Sequence, residues 1–320
     1  MTLGDFFLLD GNLRPVWRFF LSLILVFLAY KAVDLLAGGA RNLIPGAVTG
    51  YALFFLLEFL GLLSAFKLMT RLFERKPLAV VGLAFYSAWA RDFCIGLGIG
   101  ALMILFVGGA EALLALARFS PSPLPARAEL AYGSGLFVVL LLSATNEELV
   151  FRGYPFQKLV ESLGPPGAVA VSSACFGLAH LGNSHHTWIS TLNTALVGIP
   201  LSIAYLRTRA LWLPVGIHFA WNYIQGFILG LPVSGIRFST TLLGAQVQGG
   251  NWLTGSVYGP EGGIFCTLAV LGAATFLFLS PRIRISGKMK GLVYGPSPYA
   301  AAEGVVHISP GPDSDQEGPS

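Results

Sequence analysis

Two adjacent carboxylates and a guanidinium stand in the stretch Asn146-Glu147-Glu148-Leu149-Val150-Phe151-Arg152, inside an apolar run from Tyr132 to Tyr154. Two further polar pairs follow in later apolar runs, Phe176-x-x-x-His180 and His218-x-x-x-Asn222. Charges at membrane depth are costly, and their default reading is functional. Helical spacing divides the roles. Adjacent helical residues point about 100° apart, so Glu147 and Glu148 cannot do the same work. Glu148 and Arg152 are at i, i+4 and pair along one face. Glu147 faces elsewhere, with no local cation, and a carboxylate shielded from water suits general acid–base work. His218 and Asn222 share a face and offer a ring nitrogen and an amide donor, a set able to hold an oxyanion or position a water.

The elements that must position these residues are membrane spans. The chain of 320 residues is 54% hydrophobic and only 11% charged, against roughly 25% charged in soluble domains. Its mean hydropathy is +0.70. These values place it among polytopic membrane proteins. The net charge of +4 is no nucleic-acid signal, because the basic residues are scattered and lie at span ends. The three cysteines, Cys94, Cys175 and Cys266, fall in apolar runs and read as small packing residues rather than a disulfide framework. No short apolar region with a small-residue cleavage site is seen, so no cleavable signal peptide is expected.

In chain order, residues 1–15 are an interfacial lead-in, with Phe6, Phe7, Leu8 and Leu9 between Asp5 and Asp10. Residues 16–128 hold three accessory spans, Val16–Ala37, Ala47–Met69 and Phe93–Ala115, with an interfacial helix expected at Leu78–Phe85 and a Pro/Ser loop at Ser120–Pro123. Residues 129–231 hold a four-helix core: Tyr132–Val160, Ala168–Leu181, Trp188–Leu206 and Ala210–Leu231. Residues 232–285 are a Gly/Ser/Thr-rich loop and a last span, Gly262–Ser280, and 286–320 read as a disordered tail. The expected fold is all-α, a bundle of about eight spans, each near the ~20 apolar residues a bilayer requires.

Basic residues set the orientation. With the N-terminus inside, the inner face holds Arg14, Arg18, Arg71, Arg75, Lys76, Arg91, Lys158, Arg207, Arg209, Arg282, Arg284, Lys288 and Lys290. The outer face holds Arg41, Arg118, Arg127 and Arg237, with Lys31 near it. Both chain ends are therefore expected in the cytoplasm, in a multi-pass protein of a bacterial inner membrane.

Helix rise puts Glu147 and His180 each roughly 21 Å from the inner boundary, and His218 roughly 14 Å. One polar chamber is thus geometrically allowed, and the shallower His218 favours an opening to the cytoplasm. Each cluster also has a plain reading. A lone intramembrane histidine is often a packing residue, and Glu147, Glu148 and Arg152 could form a structural charge knot. Glu58 and Glu111 lack comparable partners in sequence and read as structural or boundary residues. His185 and His186 read as solvated loop residues, and His307 lies in the tail.

The ordered set Glu-Glu-x-x-x-Arg, Phe-x-x-x-His and His-x-x-x-Asn resembles the CPBP intramembrane protease family, also called the CAAX protease and bacteriocin-processing, Rce1-like or ABI family. The likeness covers roughly residues 130–230, with a weaker continuation from Asn251-Trp252-Leu253-Thr254-Gly255 to Glu261-Gly262. It implies eight spans and an endopeptidase acting within the membrane. It implies Glu147 as water activator, helped by His180, with His218 and Asn222 holding the oxyanion, and Glu148, Arg152 and Phe176 in support. The implied substrate is a peptide or protein, lipidated in the CAAX-processing members, met among membrane lipids and not with nucleic acid.

Two mechanisms stay open at this level. Glu147, His180 and His218 have the donor types of a Zn²⁺ site with one open position, although the HExxH signature is absent. The same residues also serve a glutamate-activated water that needs no metal. Two other function classes are weighed. One is a non-catalytic binding or immunity module of the same fold, which has no need of Glu147. The other is a proton-coupled transporter, against which stands the lack of internal repeats.

Overall fold

The computed structural model describes residues 3–9, 11–37 and 47–296. Asp10, Arg41, His307 and the tail beyond residue 296 lie outside the described residues. The chain opens with α1 (Leu3–Phe7) and a strand pair, β1 (Leu8–Leu9) with β2 (Asn12–Leu13). Then come α2 (Pro15–Ala37), α3 (Ala47–Met69), α4 (Trp89–Leu113), β3 (Ala117–Pro121), α5 (Ala126–Arg152), α6 (Tyr154–Ala179), α7 (Trp188–Thr208) and α8 (Trp212–Tyr223). The chain continues through β4 (Leu243–Val247), α9 (Asn251–Thr254), α10 (Ile264–Leu279) and α11 (Gly287–Tyr294).

The protein is a polytopic helix bundle. Among the described residues, five segments are long and apolar enough to cross a membrane: Pro15–Ala37, Val48–Glu74, Trp89–Leu113, Ala126–Gly182 and Trp188–Thr208. The fourth holds 57 residues, about 86 Å of helix at 1.5 Å per residue, far more than one ~30 Å crossing. It contains both the fourth and the fifth expected spans. The seventh and eighth expected spans are the shorter α8, prolonged by a π-helical turn at Ile224–Ile228, and α10 of 16 residues.

Local chemistry sets the helix ends. The fourth span stops at Arg152 rather than running on to Val160, because Gly153 leaves helical backbone and Pro155 follows. Proline lacks the N–H that would continue the ladder. Gly164 (φ 71°) and the Pro165-Pro166 pair bend α6 into two arms. Thr187 and Ser190 cap α7 reciprocally, side chain to backbone N–H in both directions. The stretch Leu78–Phe85 makes only one 3₁₀ turn, Leu78–Val81, because Gly82 (φ 113°) ends it.

Two regions expected to be plain loops are ordered. β3 and β4 pair antiparallel, from Ala117 opposite Val247 to Pro121 opposite Leu243, joining the α4–α5 connection to the long loop after α8. The tail is not disordered from residue 286. Ser286 caps α11, whose Met289 is fully buried, and Lys76 Nζ donates to the Val293 carbonyl at 2.7 Å. Lys288 Nζ donates to the Phe85 carbonyl at 2.6 Å. This end of the bundle also holds Glu74, which takes Arg18 at 3.1 Å, Lys158 at 2.9 Å and the Tyr154 hydroxyl at 2.9 Å. The cysteines differ from the packing role expected, since Cys266 is buried but Cys94 and Cys175 are exposed.

The closest helix crossing is α4 on α8. Cβ atoms on Gly96 and Gly100 would press on the carbonyl oxygens of Leu213 and Ile217, and one on Gly216 would press on that of Phe93. Small residues let helices approach in this way inside a membrane. The approach fixes the height of α8 and hence of His218. Gly100→Ala should destabilise the protein by about 1–3 kcal/mol through overpacking. Gly98→Ala, where an added Cβ meets nothing within 4 Å, should be neutral or stabilising by helix propensity, up to about 1 kcal/mol. Thermal unfolding in detergent reads the contrast, and equal effects at the two positions would refute the close-packing account.

Candidate active site

The bundle brings the three sequence clusters together. Glu147, Phe176, His180, His218 and Asn222 all line one cavity of about 590 Å³. Glu148 and Arg152 lie behind it, with no exposure of either side chain. The i, i+4 pair forms as the spacing requires, Arg152 Nη1 to Glu148 Oε1 at 3.2 Å. Arg152 also donates from Nη2 to the Gly198 carbonyl on α7 at 3.3 Å, and its guanidinium stacks over the Phe176 ring at 4.6 Å. One cation thus ties α5 to α6 and α7.

Glu148 Oε1 has a second partner, His218 Nδ1 on α8, at 2.8 Å. Hydrogen-bond chemistry then assigns the ring. Glu148 is paired with Arg152 and accepts, so His218 Nδ1 carries the hydrogen and Nε2 faces the cavity. His180 repeats the arrangement. It closes the C-terminal end of α6, and its Nδ1 faces the Phe176 carbonyl at 2.8 Å. A carbonyl can only accept, so His180 Nδ1 also carries a hydrogen and Nε2 is left to the cavity. Phe176 meets both rings edge-on, at 4.8 Å from His180 and 6.0 Å from His218.

Both Nε2 atoms converge on Glu147 Oε2, His180 at 3.9 Å and His218 at 3.8 Å. These separations exceed a direct hydrogen bond and suit groups bridged by one water. Glu147 Oε2 is buried and takes no hydrogen bond from the described residues, while Oε1 accepts from the Ser143 hydroxyl at 3.3 Å. Three polar atoms therefore face one point. Asn222, one helical turn beyond His218, lines the same cavity.

Glu147, His180 and His218 are the side chains that would supply metal donors. Among the described residues, however, no group of three or more His, Cys, Asp or Glu side chains is arranged to hold a metal ion.

Sequence reading missed two members. Ser143 was legible only as the residue one turn before Glu147. Glu261 lines the cavity from the loop ahead of α10 and is 6% exposed. It accepts from Gln225 Nε2 at 2.8 Å, from the Ser234 backbone N–H at 3.1 Å and from the Ser234 hydroxyl at 3.3 Å. These contacts pin the segment 233–239, which forms one wall of the cavity. No local spacing reveals a residue whose partners lie so far along the chain. Glu111 is fully buried and both its carboxylate oxygens lack hydrogen bonds from the described residues.

The cavity extends from Glu147 towards one end of the bundle. Its lining comes from the N-terminal turns of α3 (Val48, Tyr51, Phe55), the N-terminal half of α5 and the loop 233–239. Those parts lie at the end away from Arg18, Lys158 and α11. Towards the basic end, Leu149, Phe156, Tyr205 and Leu211 are fully buried and close the bundle.

Comparison with known families fits this geometry. Residues 131–224 match the family described as type II CAAX prenyl endopeptidase, Rce1-like. The match agrees with the CPBP family and spans all three motifs. No curated protein and no solved structure matches the chain. The Rce1-like match supports a membrane protease of this type, acting on a peptide or protein.

Two predictions follow from the site's electrostatics. Arg152→Leu leaves the buried Glu148 carboxylate without its cation and should cost about 3–5 kcal/mol, read as loss of folded protein in detergent. Burial pushes the Glu261 carboxyl up from 4.5 to about 7. The folded state then holds this proton more tightly than the unfolded chain does. Stability should be full below the unfolded value and fall as pH rises from about 4.5 to about 7. Glu261→Gln should flatten that part of the melting profile.

Proposed function

We propose that the protein is an intramembrane endopeptidase in which Glu147 activates a water for attack on a peptide carbonyl. The observation that carries this reading is the convergence of Glu147 Oε2 with the Nε2 atoms of His180 and His218 at 3.9 and 3.8 Å in a cavity of about 590 Å³. A water fits the point that these three atoms face. It donates one to Glu147 Oε2, and the ring nitrogens orient it.

The steps balance without a covalent enzyme intermediate. The water oxygen bonds to the carbonyl carbon as its proton passes to Glu147. The carbonyl oxygen becomes an oxyanion, which Asn222 Nδ2–H meets, with His218 Nε2 as a second donor when it carries a proton. Glu147 then hands its proton to the amide nitrogen, the C–N bond breaks, and an amine leaves. Glu148 and Arg152 hold the His218 ring and do not touch the reacting atoms. The mainly apolar walls, with Tyr51, Phe55, Leu136 and Val139, suit an apolar or lipidated peptide. C-terminal processing of the CAAX type is the form that the family description suggests.

The test compares the wild-type protein with Glu147→Gln in proteoliposomes. A panel of lipidated and unlipidated peptides is supplied, with and without a zinc chelator, and the products are read by mass spectrometry. Removing the general base should lower the rate about 10²- to 10⁴-fold while the melting profile stays that of a folded protein. Undiminished hydrolysis by Glu147→Gln would overturn the assignment, and the chelator arm reads any need for metal.

A further inference from the structure

We infer that the chamber opens to the extracytoplasmic side, so that its substrate is a polypeptide segment presented from outside the cytoplasm. The inference rests on the protease reading for the word substrate, but its geometry does not. The side of the membrane follows from charge. Arg18, Lys158 and Arg207 sit at one end of the bundle, where Arg18 and Lys158 meet Glu74 and Arg207 bonds the carbonyls of Ser280 and Ile283. The segment before α2 and the helix α11 lie at that same end. Basic residues gather at the cytoplasmic ends of spans, so this end faces the cytoplasm.

The cavity runs the other way. Glu147 lies at its deep end. Its walls then follow α5 back through Val139 and Leu136 to Tyr132, and α3 back through Tyr51 to Val48. Both helices begin at the far end from Glu74, so each of these steps leads away from the cytoplasm. The mouth is the segment 233–239, where Ile236, Arg237 and Ser239 are exposed and Glu261 pins Ser234. On the other side of Glu147, Glu148, Leu149 and Arg152 are fully buried and admit nothing from the basic end. The basic end therefore offers no path to Glu147 along α5, whereas an extracytoplasmic segment has one about four turns long, and a CAAX-type substrate would have to present its C-terminus from that side.

Thiol labelling in intact cells tests this without any need for hydrolysis, so it stands or falls apart from the protease assignment. Cys94, Cys175 and Cys266 are replaced by alanine, and folding is checked by melting. Single cysteines are then introduced as Ser239→Cys at the mouth, Ser143→Cys beside Glu147 and Arg284→Cys at the basic end. A charged, membrane-impermeant maleimide is added to intact cells and to inside-out vesicles. Ser239→Cys and Ser143→Cys should label in intact cells, and Arg284→Cys only in inside-out vesicles. Reaction of Ser143→Cys only from the vesicle side, or from neither side, would overturn the inference. So would labelling of Arg284→Cys in intact cells. If Ser143→Cys fails to fold, Ser239→Cys against Arg284→Cys carries the same contrast at the surface, and reversal of that pair refutes it.

Discussion

The structure depends on one carboxylate that has been taken out of water. Glu148 is fully buried, and an isolated charge there would cost several kcal/mol. It is tolerated because Arg152 meets it on its own helix at 3.2 Å and His218 meets it from α8 at 2.8 Å. Each partner is in turn constrained. Arg152 spends a second donor on the Gly198 carbonyl and its face on Phe176. A buried charge with two partners on two helices leaves α5 and α8 one relative height. The α4–α8 glycine crossing supports that height from the other side, since Gly100 and Gly216 leave no room for a shift by a methyl group.

This constraint explains why neighbouring glutamates behave as different chemical groups. Glu148 points into the packing, where Arg152 and His218 both meet its Oε1. Glu147, about 100° around the helix, points into the cavity, where Ser143 is its hydrogen-bond donor. The same division runs through the histidines. Each Nδ1 is committed to a fixed acceptor and each Nε2 is left to the cavity. The outer layer of contacts therefore fixes the tautomers, and the tautomers fix what the inner layer can do.

Much of this was legible in the sequence because it is helical and local. The i, i+4 spacings of Glu148 with Arg152 and of His218 with Asn222 are properties of the helix itself. The long apolar runs fixed the bundle class, and Ala47–Met69 matches its expected bounds. What escaped was set by tertiary contact or by single residues that override a run of good helix formers. The β3–β4 pair joins residues about 125 positions apart in short strands with too few residues to show alternation. Gly153 and Pro155 cut a run whose hydropathy continues unbroken. α11 is short, with two lysines and two glycines among its 8 residues, and it is ordered by Met289 and two lysine–carbonyl bonds.

The cytoplasmic opening expected from depth and the opposite one inferred from the cavity's lining differ for a physical reason. Depth along a helix says how far a residue is from each surface, not which way the space beside it opens. That depends on which neighbouring side chains are large. Below Glu147 the bundle is filled by Phe156, Tyr205 and Leu211, all fully buried. Above it, Tyr51 and Phe55 of α3 and Leu136 of α5 line a space instead of closing it. The far loop then becomes part of the chamber, and Glu261, which lies outside the three motifs, becomes the residue that holds its wall. A site built at mid-depth from three local motifs is thus oriented by residues outside all three. The motifs carry the chemistry, and the packing on either side of Glu147 selects the side from which a substrate can reach it.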